Sequence, residues 1–140
     1  MRFIRARGAL KGLIAQRQGT NSFGLDEKSL LKIAKTEAAA IARFKRLPFS
    51  AAFCDTILGT LSHLEGNVDE ATQRLKAAHK GFGAAGMKLH RAATALHIAR
   101  LSSGSVILHQ SDQAQQVMQD EKIKDADRFA DMLSPGISPW

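Results

Sequence analysis

The apolar residues Val68, Ala71, Leu75, Ala78 and Phe82 recur at intervals of three and four, and this spacing constrains the chain more than any other feature. Residues so placed share one side of a helix of 3.6 residues per turn; on a strand they would point to both faces. The same period runs through almost all 140 residues. Phe3, Ala6, Leu10, Leu13 and Ile14 predict a first helix over about 2–17. Leu30, Ala34, Ala38, Ile41 and Phe44 predict a second, with Asp26 as its cap. Pro48 suits the first turn of a third, where its missing N–H costs little; Phe49, Phe53, Ile57, Leu61 and Leu64 would be its stripe, and Gly66 its stop. Asn67 is the expected cap of the fourth helix, and Asp69 and Glu70 complement the positive end of its dipole. A fifth helix from Lys88 carries Leu89, Ala92, Ala93, Leu96 and Ala99 as far as "SSG" at 102–104. A sixth uses Ile107, Ala114, Val117 and Met118, and a short seventh uses Ala126, Phe129, Ala130 and Leu133 before "SPG" breaks it. No stretch alternates with period two. The fold class expected is all-α.

Residues 81–86, "GFGAAG", match the glycine pattern of dinucleotide-binding loops. Such a loop must follow a strand and open a helix, so that its amides converge on phosphate. Here the glycines close the amphipathic stretch "VDEATQRLKAAHK", and after Glu70 the next carboxylate is Asp112. Gly86 is instead expected to end a helix in a left-handed conformation, and Gly81 and Gly83 to admit a close neighbour. No cofactor is expected.

Leu58, Gly59, Gly66, Ala71, Leu75 and Ala78 fall at a further spacing, small residues placed where two antiparallel helices would touch. Across 52–85 this arrangement resembles the tetratricopeptide repeat, a 34-residue helical hairpin. Asp55 and Ser62 stand where the repeat carries aromatics, and Gly83 replaces its closing proline. Thirty-four residues beyond Gly59 lies Ala93, again small, and Gly8 is the candidate equivalent in the first helix. The resemblance implies a right-handed stack of about three antiparallel hairpins, roughly 2–46, 48–86 and 88–121, with a terminal helix at 125–133. One domain would span 1–134, and 135–140 would be a tail.

A second resemblance covers more of the chain. "LPFSAAFCDTILGTLSHLEGN", "FGAAGMKLHRAATALHIARLSSG" and "VMQDEKIKDADRFADMLSPG" resemble the helical C-terminal part of bacterial serine/threonine protein kinases that carry such repeats. Arg128, Met132, Pro135 and Gly136 match the basic residue, methionine and Pro-Gly that close that region; "KIKDAD" departs from its usual Gly-Ile and Asn-Pro. The kinase's own catalytic motifs do not occur in the chain, so the resemblance implies an accessory region of a signalling protein and no phosphotransfer.

The remaining chemistry is sparse. The five histidines include no pair at the i, i+4 spacing of a helical zinc site, so no metal is expected. Cys54 lies beside an apolar stripe and reads as a small buried hydrophobe, with no base to activate it. A single cysteine also fits a reducing compartment, and no apolar run reaches the length of a membrane span, so a cytoplasmic location is expected. The formal charge of +7 is concentrated: residues 1–46 hold eleven Lys/Arg against three acids. This basic third supports an alternative reading, nucleic-acid binding through residues 2–46, although stacking aromatics are few. It also resembles an acid-poor targeting segment, but an amphipathic helix of the domain itself is preferred.

The reading reached is a non-catalytic module that binds a protein or peptide partner, or docks onto an upstream domain of its own chain. Projecting repeat geometry onto helices one, three and five places Arg5, Thr56, Thr60, His63, His90, Thr94 and His97 along a partner groove. An uncapped apolar stripe at Met1 further predicts an exposed first-helix face open to self-association.

Overall fold

The computed structural model describes residues 1–20 and 24–137. Seven helices run in order among the described residues: α1 (Arg2–Arg17), α2 (Glu27–Ala42), α3 (Ser50–Leu64), α4 (Val68–Ala84), α5 (Lys88–Leu101), α6 (Ser105–Asp120) and α7 (Ala126–Leu133). Among the described residues there is no strand, and no helix is long and apolar enough to cross a membrane. The tip of the predicted "QGTNSFG" loop and the last three residues lie outside the described residues.

Local chemistry sets several of the helix ends. Asp26 Oδ1 accepts from the Ser29 amide at 2.8 Å, and Asn67 Oδ1 from the Glu70 amide at 3.2 Å, each satisfying a first-turn donor. Asp125 does the same for Arg128 at 2.9 Å, opening α7. Gly66 (φ +85°) and Gly86 (φ +70°) turn the chain out of α3 and α4 in the left-handed region. Pro48 is two residues earlier than expected: it sits in a turn closed by the Ser50 amide on the Leu47 carbonyl, and α3 begins after it. Phe44 lies past the end of α2 and is exposed rather than part of its stripe, as is Val68 at the first position of α4.

Consecutive helices pair antiparallel. Arg2 and Arg5 at the start of α1 reach Glu37 late in α2, while Arg17 at its end reaches Glu27. In the next hairpin Gly59 meets Ala71 and Leu75, and Ala52 meets Gly81. In the third, Lys88 pairs with Glu121. The hairpins α1/α2, α3/α4 and α5/α6 stack in chain order, with α2 against α3 and α4 against α5. Alanine and leucine fill the seams: Ala34 and Ala38 of α2, and Ala71, Leu75 and Ala78 of α4, are fully buried.

Glycine brings α3 and α4 together. A Cβ on Gly59 would lie 3.3 Å from the Ala71 carbonyl oxygen, Arg74 Cβ and Leu75 Cγ, and one on Gly81 only 3.0 Å from Ala52 Cβ. Gly59→Val should therefore force the helices apart and cost about 2 kcal/mol. The check is the urea midpoint, and an unchanged midpoint would refute the close-packing role. Gly8 has no such part. It is exposed with nothing near its Cβ position, and Ala6, Ala9 and Leu10 make the α1 seam instead.

The terminal elements depart from a plain stack. α7 does not continue the row beside α6; it packs on α5, with only slight contact to α6. Residues 134–137 then cross the face formed by α1, α3 and α5. Ile137 is buried beside Leu75 and Ile98, and Gly136 lies against Thr60, Ile14 and Leu64. Pro135–Ile137 therefore belongs to the domain, not to a tail.

Candidate functional site

The face that repeat geometry assigns to a partner is already covered by the chain itself. Thr56, Thr60, Thr94 and His97 are buried, which corrects their assignment to an open groove. The physical reason is α7. Leu133 and Ser134 close over Thr56, Thr94 and His97 from α3 and α5, leaving a void of only about 10 Å³. The threonine hydroxyls are satisfied within the fold. Thr56 donates to the Ala52 carbonyl at 2.8 Å, Thr94 to His90 at 2.7 Å and Thr60 to Thr56 at 3.0 Å. Thr60 also shares a 2.7 Å hydroxyl bond with Ser134.

The other predicted groove residues are dispersed. His90 is half-buried in an aromatic cluster, 5.3 Å from the Phe53 ring and 5.2 Å from that of Phe82. Burial and nearby Arg7 hold its imidazole below the ordinary histidine range. His63 is partly buried near the end of α3, its pKa likewise lowered by burial. Arg5 is exposed and pairs at 2.9 Å with the buried carboxylate of Glu37. These side chains do not converge on one ligand.

Three residues missed by the sequence reading, Arg100, Asp127 and Asp131, organise the covered face. Arg100, near the end of α5, donates to Asp131 at 2.9 Å and to Asp127 at 2.7 Å, clamping two carboxylates one turn apart on α7. Its Nη1 also lies 3.3 Å from His97 Nδ1, while His97 Nε2 donates to the Ala130 carbonyl at 3.0 Å. That pattern requires the neutral ring protonated on Nε2. Burial, with Arg100 beside it, pulls the His97 pKa down to about 4. Burial raises the Asp131 carboxyl against the opposing pull of Arg100. The available signal was the i, i+4 acid pair Asp127/Asp131 on a helix so short that it needs a partner.

What stays open is a cleft of about 820 Å³ between the second half of α1 and α7. Ile14 and Ala15 line one side, Phe129 and Met132 the other, and Pro135 and Gly136 one end. Lys11, Arg128, Asp125 and Asp131 supply charge of both signs at its edges. Arg128, Met132, Pro135 and Gly136 all line this one cleft.

The rest of the surface offers less. Cys54 is half-buried against the first core, and burial followed by the charge of Asp55 pushes its thiol pKa up, away from the reactive thiolate. Among the described residues no three His, Cys, Asp or Glu side chains come together as metal donors. The apolar stripe of α1 is covered by α2, α3 and residue 136, so the expected self-association face is reduced to Met1 and Ile4, which are exposed. The basic third spends part of its charge internally: Arg2 and Arg5 on Glu37, Arg17 on Glu27 and on the Leu64 carbonyl, and Lys35 on Glu65. No protein-family model, curated protein or solved structure matches the chain.

Proposed function

We propose that this chain is a non-catalytic, tetratricopeptide-like interaction module, an accessory region of a bacterial signalling protein of the serine/threonine-kinase-linked kind. It would bind a peptide or helix of a protein partner in the cleft between α1 and α7. The observation that carries the reading is the convergence of Arg128, Met132, Pro135 and Gly136 on that cleft. Its apolar walls would bury the partner's apolar side chains, and the mixed charges at its edge would set direction and register.

Peptides selected from a displayed library against the full chain test the proposal. Met132 is half exposed on the cleft wall, so Met132→Glu places a charge there without disturbing the core. It should weaken the selected peptides at least ten-fold, whereas Lys80→Glu on exposed α4 should not. Equal affinity for both variants would sink the reading. The nucleic-acid alternative draws on the basic first third and predicts affinity that falls steeply with salt; a cleft binder need not show this.

A further inference from the structure

We infer that α7 is an internal stand-in for a partner: it occupies a recognition seat on α3 and α5 that accepts a helix of pattern Asp-x-x-Ala-Asp-x-x-Ser from another protein. The inference rests on the interaction-module reading and adds a second seat, distinct from the α1/α7 cleft, with the chemical class of the helix it takes.

The seat is specified by polar groups. Arg100 takes the two carboxylates Asp127 and Asp131, His97 takes the Ala130 carbonyl, and Thr60 takes the Ser134 hydroxyl. Three of the α7-side groups, Asp127, Ala130 and Asp131, fall at the i, i+3 and i+4 positions of one helix face, and Ser134 caps the end of that helix. A helix needed only to cover apolar surface would be held more tightly by apolar residues. Polar contacts of this kind fix register and select one sequence over another. Ala130 is completely buried, so a larger residue there would lift the helix off the seat.

Displacement is physically accessible. α7 has eight residues, too few to hold a helix without tertiary contacts. It lacks the lateral support that α2–α5 receive from neighbours on both sides, because it packs on α5 and scarcely touches α6. The connector from Glu121 to Asp125 contains Lys122 at φ 59°, a left-handed conformation uncommon for a residue with a side chain. One of the two carboxylates on Arg100, Asp127, is 70% exposed, so this contact is partly solvated and is the first that α7 can give up. Element ends held by few, partly solvated contacts open ahead of the whole domain. A partner with the same acid pair would restore both charge pairs to Arg100 once α7 has left.

The experiment uses the full chain and a labelled peptide of residues 125–137, followed by fluorescence anisotropy at neutral pH. The wild-type chain, its seat filled, should bind the peptide weakly. Asp127→Asn with Asp131→Asn in the chain loosens the resident helix and should tighten peptide binding at least ten-fold. The same two changes in the peptide should abolish the gain. Equal binding to both chains, or indifference to the peptide's carboxylates, overturns the inference. So does a concentration-dependent dimer of the variant, which would make a second copy the occupant. Should the double variant fail to fold by circular dichroism, hydrogen exchange on the wild-type chain decides. Amides of α7 should exchange at least ten-fold ahead of those in the middle of α5; exchange in step with α5 overturns the inference. Loss of library peptides on Met132→Glu together with no binding of the 125–137 peptide would leave the module reading standing and this inference refuted.

Discussion

Phe82→Ala should remove about 4 kcal/mol of stability, within the range measured when a buried aromatic is truncated. Phe82 is 1% exposed, with its ring centroid 5.2 Å from that of Phe53 in an edge-to-face arrangement and 5.2 Å from that of His90. Phe53 in turn lies 4.3 Å from Phe3. One aromatic chain thus joins α1, α3, α4 and α5, so truncation at its centre empties a space bordered by all three hairpins. Relaxation to fill it would require α3 and α4 to shift along their close Gly59 and Gly81 contacts, which argues against collapse of the space. A domain of this size holds on the order of 5–15 kcal/mol in total. The loss should appear as a fall in Tm on the order of 12 °C. Phe82→Leu, which keeps most of the volume, should cost less than half as much. A Phe82→Ala chain within 1 kcal/mol of wild type by urea denaturation would show that the hairpins do not share this core.

The second large effect is a loss of stability in acid centred on His97. Its folded-state pKa, about 4, lies below the ordinary value of 6.5. Between those values the unfolded chain takes up a proton that the folded chain refuses, so stability falls as pH falls. The contribution is fully present above pH 6.5 and is lost progressively toward pH 4, amounting to about 3 kcal/mol. The cause is geometric. Neutral His97 donates from Nε2 to Ala130 and turns its Nδ1 lone pair to Arg100; a second proton would set two cationic donors against each other in a buried site. Other groups act on the same range. His63, His79 and His90 are lowered by burial and add to the acid loss, while the raised Asp131 works in the opposite sense once the pH approaches the carboxylate range. His97→Gln, which can still donate to the Ala130 carbonyl, should flatten the difference in urea midpoint between pH 7 and pH 4.5. A variant with the wild-type pH profile would remove His97 as its source.

Helix positions were legible because their signals are local. Asp26 and Asn67 each cap their helix with their own side chain, Gly66 and Gly86 take positive φ as helix stops, and the α4 stripe is buried from Ala71 to Phe82. Small-residue packing around Gly59 was legible for the same reason, since its consequence is confined to one hairpin. Gly8 misled because a lone helical glycine carries no information about which side faces a neighbour. Thr56, Thr60, Thr94 and His97 misled differently: their placement on the α1/α3/α5 face was sound, but whether that face is open depends on residues thirty to eighty positions away.

Periodicity and capping chemistry in the amino-acid sequence by themselves determined an all-helical fold of six to seven rods and the seam between α3 and α4, because each depends on neighbours within a turn or one hairpin. Only the tertiary structure decided where α7 goes. Its amphipathic face would be satisfied equally by the row beside α6 or by the face of α1, α3 and α5, and hydrophobic burial has no direction with which to choose. Arg100, His97 and Thr60 make the choice through bonds that are directional and span the chain, and so they also turn a would-be groove into a filled seat beside an open cleft.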